Sequence, residues 1–152
     1  MLWFDGQAEE AAKFYASIFP NSKVGKVSRY GEAASQSGGQ PVGSVMTVAF
    51  ELDGRSFVAL NGGPAFKFNE SVSFVVNCDS QAEIDRYWVK LTAGGGTEVA
   101  CGWLKDRFGL SWQVCPASIW NLISGPKSDK VVAEVVKMKK LDLATLEQAA
   151  AQ

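Results

Sequence analysis

The chain has 152 residues, 47% hydrophobic and 11% aromatic, which fits a folded globular domain long enough to bury a core. A net charge of −1 with no basic stripe speaks against nucleic acid as the main partner, and no apolar run approaches the roughly 18 residues of a membrane helix. The absence of histidine removes His-based triads, His metal ligands and His acid–base chemistry together. In chain order, Leu2–Phe4 predicts a strand. Residues 7–19 carry Ala8, Ala11, Ala12, Tyr15, Ile18 and Phe19 at helical spacing, entered through Asp5-Gly6 and ended by Pro20. Strands follow over 24–30, 42–52 and 56–61, the last two joined by an Asp53-Gly54 hairpin turn. The Ser-, Gly- and Gln-rich stretch 33–41 reads as a mobile loop.

Strands over 71–78, 97–101 and 110–116 surround a helix over 80–92, where Ser80 and Glu83 make a capping box. Gly94-Gly95-Gly96 follows that helix, so it reads as a helix stop, not as a phosphate loop entered from a strand. Helical spacing returns from Ser128 with Val131, Val135 and Met138, and again with Leu143, Leu146 and Ala150. Within 110–116, alternation sends Leu110, Trp112 and Val114 to one face and Ser111, Gln113 and Cys115 to the other. Cys78, Cys101 and Cys115 are widely spaced with no CxxC pair, which suits buried thiols in a reducing compartment, and a cytoplasmic protein is expected.

An internal repeat orders these elements. Asp5-Gly6-Gln7-Ala8-Glu9 recurs as Asp79-Ser80-Gln81-Ala82-Glu83, and Asp53-Gly54-Arg55-Ser56-Phe57 is echoed by Phe108-Gly109-Leu110-Ser111-Trp112. The chain therefore reads as α+β, with two tandem βαβββ modules at about 1–64 and 70–116 and a helical extension over 117–152.

That duplicated plan resembles the vicinal oxygen chelate superfamily of glyoxalase, bleomycin-resistance proteins and extradiol dioxygenases. The stretches LWFDGQAEEAAKFYASIFPNS, FELDGRSFVALNGGPAFKFN, SFVVNCDSQAEIDRYW and CGWLKDRFGLSWQVCP are similar to its PhnB-like branch, which carries the label 3-demethylubiquinone-9 3-methyltransferase-like. The resemblance covers residues 2–116 and implies two modules curled into a mixed β-sheet cup. Relatives begin a few residues earlier, so a short first strand is expected. It also implies strand-borne metal ligands, and this chain departs from them. Gln113 stands where a glutamate ligand commonly sits, Ser71 or Ser73 near the usual histidine, and Val58 or Ala59 at the first module's glutamate. The opening strand offers only Met1 and Trp3. An amide and a hydroxyl replace carboxylate and imidazole poorly, so no metal and no other cofactor are expected.

Three functional readings follow. The first is a metal-independent small-molecule-binding protein whose cup carries Trp3, Ser73, Asn77, Ser111 and Gln113, with Asn61, Phe66 and Phe68 of the glycine-rich segment 61–68 lining or lidding it. The second is an enzyme of the lyase, isomerase or methyl-transfer kind. For it, Asp5, Glu51, Asp79, Lys105, Asp106 and Tyr30 are the titratable candidates, each also explicable as a cap, turn residue or solvated charge. No strand is followed by G-x-G-x-x-G, so no S-adenosylmethionine-binding Rossmann unit is present. The third is a structural homodimer with a vestigial cup. Superfamily members commonly pair, and the apolar tail predicts a homodimer with the tail on the partner or beside the seam.

Overall fold

The computed structural model describes residues 1–152. They divide into two compact units, 1–68 and 69–152, each built on one four-stranded mixed sheet. The first unit runs β1 (Leu2–Phe4), α1 (Ala8–Ile18), β2 (Lys23–Arg29), α2 (Glu32–Gly38), β3 (Val45–Leu52) and β4 (Arg55–Asn61). Its strand order is β1-β4-β3-β2, with β1 parallel to β4 and the other pairs antiparallel. Register decides what each face presents. Val48 pairs with Ala59 and Phe50 with Phe57 on the face under α1, whereas Thr47–Leu60 and Ala49–Val58 lie on the opposite face. Onto the first face α1 lays Ala8, Ala11, Ala12, Tyr15 and Ile18, all buried. The Tyr15 ring lies over Phe50 at 6.2 Å, and Phe50 over Phe57 at 5.3 Å.

The second unit runs β5 (Ser73–Cys78), α3 (Gln81–Thr92), β6 (Thr97–Glu98), β7 (Trp103–Lys105) and β8 (Ser111–Pro116), then α4 (Ile119–Ser124), α5 (Ser128–Val135) and α6 (Leu143–Ala151). Its order β5-β8-β7-β6 repeats that of the first sheet, with a parallel pair again formed by the first and last strands. The repeated sequence is therefore a repeated fold: α+β, with two βαβββ modules and a helical C-terminus. The turn glycines of the second echo, Gly54 and Gly109, both hold positive φ, at 73° and 87°.

The two module helices start differently for a physical reason. In α3 the Ser80 hydroxyl accepts from the Glu83 amide (3.3 Å), while the Glu83 carboxylate accepts from the Asp79 amide (2.8 Å). No local side chain caps α1. Instead Asn61, at the end of β4, accepts from the Ala8 amide at 2.8 Å and donates to the Val45 carbonyl at 3.1 Å. Pro116 ends β8 as Asn61 ends β4, but it has no side-chain acceptor to offer, and the local Ser80 cap takes its place.

Several expectations need correction. The stretch expected as a mobile loop contains α2, stopped by Gly39 in the left-handed conformation (φ 67°). Ala33, Ala34 and Ser35 give it helix formers, but it buries no residue, so no apolar periodicity marked it. β7 was not foreseen because three residues are too few to show alternation, and α4 was missed for its brevity. The strand expected over 97–101 ends at Glu98, and Cys101 sits in a turn at φ 61°.

The tail packs within its own unit. Its buried face belongs to its own unit: Val131, Leu141, Leu146 and Ala149 cluster with Cys115 and Ile119, and Val135 and Met138 pack against them. Backbone bonds from Cys101 to the Met138 carbonyl (2.8 Å) and from Gly102 to the Lys139 carbonyl (2.7 Å) fasten it. Gln81 completes the junction, donating to the Leu141 carbonyl and accepting from the Leu143 amide. Val132 and Val136 remain exposed.

Candidate ligand-binding face

In the second unit, alternation separates the set facing α3 from a set on the opposite face, where Ser111 and Cys115 are buried. Phe74, Leu104, Trp112 and Val114 face α3, where the Trp112 and Phe74 rings meet edge to face at 5.4 Å. Asp106 anchors this side. It is buried and accepts from the Phe108 amide (2.8 Å), the Leu110 amide (3.1 Å) and the Trp112 indole (2.9 Å), which makes it a turn residue and not a free acid. On the other face the cross-strand register produces two rows. Lys105, Ser111 and Ser73 form one, and Trp103, Gln113 and Val75 the next.

Of the eight residues expected to bind ligand, Ser73, Ser111, Gln113 and Asn77 share this face. Gln113 donates to the Ser73 hydroxyl at 2.9 Å, so its amide is oriented by a neighbour. Asn77 is exposed, one same-face step beyond Val75 on β5. Ser111 is 1% exposed, and its hydroxyl has no hydrogen-bond partner in the protein. Lys105 is ion-paired with Glu70, and the ammonium holds the Glu70 carboxyl below the usual carboxylate range. Trp103 and Lys105 were missed as face residues because β7 was missed. Three residues gave no periodic signal that could have placed them there.

The remaining expected residues lie in the first unit. Trp3 is half-buried on the face away from α1, and its indole donates to the Gly63 carbonyl at 2.8 Å. Phe66 stands edge-on to it at 4.9 Å and is 66% exposed. A Cβ on Gly62 would overlap the Trp3 ring, so glycine at that position is what lets the indole lie flat on the turn. Phe68 meets Phe4 at 5.4 Å, so Phe66 and Phe68 serve opposite faces of β1. The Asn61 amide is engaged in capping α1, and its carbonyl accepts from buried Tyr30 at 2.5 Å.

The metal that this superfamily commonly holds does not fit these side chains. No three His, Cys, Asp or Glu residues converge. Where ligands would stand there are Gln113 and Ser73, bonded to each other. Cys78 and Cys115 offer no thiolate either, since burial pushes their pKa values up to about 12 and about 11.

Residues 1–115 match the family model described as 3-demethylubiquinone-9 3-methyltransferase. The chain belongs to this family. It forms part of the PhnB branch of the vicinal oxygen chelate superfamily. The PhnB protein from Bacillus cereus is 34% identical, with a TM-score of 0.66 over 76% of this chain and 95% of that one. Protein PA1353 from Pseudomonas aeruginosa shares the fold at 22% identity, with a TM-score of 0.58 over 74% of this chain and 91% of its own. No protein of curated function matches the chain. Its PhnB-type modules enter their helices through Asp5-Gly6-Gln7 and Asp79-Ser80, with no glycine-rich cofactor loop after either strand.

Proposed function

We propose that this PhnB-family protein binds a small organic molecule without a metal, using the strand faces opposite its module helices, and that it works in the reducing cytoplasm as a homodimer. The observation that carries the reading is the Gln113–Ser73 hydrogen bond of 2.9 Å, a fixed, uncharged polar pair on a face flanked by Trp103 and Val75. In the first unit, Trp3 and Phe66 form an aromatic surface of their own. Three free cysteines fit a reducing compartment. The exposed Val132, Val136 and Trp120 of the tail are apolar surface that a second copy would cover.

Thermal-shift screening tests the proposal. Small organic ligands are expected to raise the melting temperature of the protein, and Gln113→Leu to abolish the effect. Nickel, zinc and manganese are expected to give no saturable shift, and elemental analysis to find no stoichiometric transition metal. About one metal per chain would overturn the reading. Light scattering should give the dimer mass at micromolar concentration, and a monomer there would remove the dimer.

A further inference from the structure

The geometry points to an aromatic or similarly flat organic acid as the ligand, its carboxylate held directly by Ser111, Ser73 and Lys105 and its body lying over Trp103 and Val75. This inference rests on the reading of that strand face as a ligand site and names its chemistry.

The register separates the two rows by function. The first holds two hydroxyls and an ammonium, with no acid among its members. Ser111 is almost wholly buried with a hydroxyl that meets no partner, and such a group is rare because its lost hydration goes uncompensated. Ser73 already accepts from Gln113, so its own proton is free to donate. Lys105 adds a positive charge as the cross-strand neighbour of Ser111, which stands between it and Ser73. Three donors and no acid in a row ask for an acceptor with several lone pairs, which a carboxylate supplies.

The second row, Trp103–Gln113–Val75, places a large ring and a half-exposed aliphatic group on either side of the amide. Rows lie about 6.6 Å apart along a strand and residues within a row about 4.8 Å apart. A ligand whose charged end and flat apolar body are joined directly or through one or two carbons spans that spacing.

Glu70 bears on the argument from the opposite direction. Its own carboxylate sits on the Lys105 ammonium, and it is an exposed loop residue whose ion pair contributes little. It shows that a carboxylate reaches this cation, and it competes with any that comes from outside.

Calorimetric titration near neutral pH with 1-naphthoate and phenylacetate, each against its primary amide, tests the assignment. The acids are expected to bind more tightly than the amides by roughly 10-fold or more, the scale of a charge-assisted hydrogen bond. Lys105→Met should remove that preference. Ser111→Ala should weaken the acids while leaving the protein as stable as before or more so, because a partnerless buried hydroxyl is deleted. Glu70→Gln, at an exposed position that does not endanger folding, should tighten the acids and leave the amides unchanged. Equal binding of acids and amides, or an acid preference indifferent to Lys105→Met and Glu70→Gln, would overturn the inference while leaving a Gln113-dependent neutral ligand possible. If neither acids nor amides bind, the acid assignment falls. If, in addition, no neutral compound from the screen shows a Gln113-dependent shift, the ligand reading falls with it.

Discussion

Asp106 illustrates how a residue with catalytic credentials is consumed by architecture. Its two oxygens take three donors from the turn into β8 and from Trp112. Asp106→Ala should leave those donors buried and unbonded, at a cost of about 3 kcal/mol in urea unfolding. Trp112→Ala, which also removes a buried ring, should cost about 3–5 kcal/mol. The thiols make the second residue-scale prediction. Burial raises Cys78 to about 12 and Cys115 to about 11 from an ordinary 9.0. The unfolded chain therefore loses these protons first as pH rises. Their effect is absent below about pH 8, and stability falls as pH climbs from 9 toward 11. Cys78→Ala should flatten that decline in stability curves. At pH 8, thiol reagents should label half-buried Cys101 rapidly and the other two only on unfolding.

At the scale of elements, α1 and α3 are duplicates with different beginnings. Ser80→Ala removes a local cap and should cost about 1 kcal/mol. Asn61→Ala removes a cap that also ties β4 to β3 and α1, so it should cost more, about 2–3 kcal/mol, since the Ala8 amide is then left buried without a partner. Equal losses for the two variants in chemical denaturation would contradict this account. The same comparison shows what was legible. Ser80 and Glu83 stand three apart, so their box could be read directly. The Asn61 contact spans 53 residues, and nothing near α1 announces it.

For the whole molecule, the duplicated sheet order is the dominant fact, and the tail is its largest addition. Leu146 is fully buried in the cluster around Cys115. Leu146→Ala should cost about 2–5 kcal/mol and make Cys115 accessible to thiol reagents through local opening, which mass spectrometry of labelled peptides would register. Unchanged Cys115 protection would mean that the tail does not guard it.

The sequence by itself determined the repeat, both module helices, most strands and the sidedness of β8, because those features rest on local periodicity and turn chemistry that neighbouring residues carry. It also determined that no histidine chemistry occurs. Only the tertiary structure decided that Phe66 and Phe68 part to opposite faces, that Asn61 caps a distant helix, and that the tail packs on its own unit. It alone set Lys105 beside Ser111 and left the Ser111 hydroxyl without a partner. These depend on register between strands far apart in the chain, and register is fixed by the packing of whole faces, not by the residues adjacent to any one position.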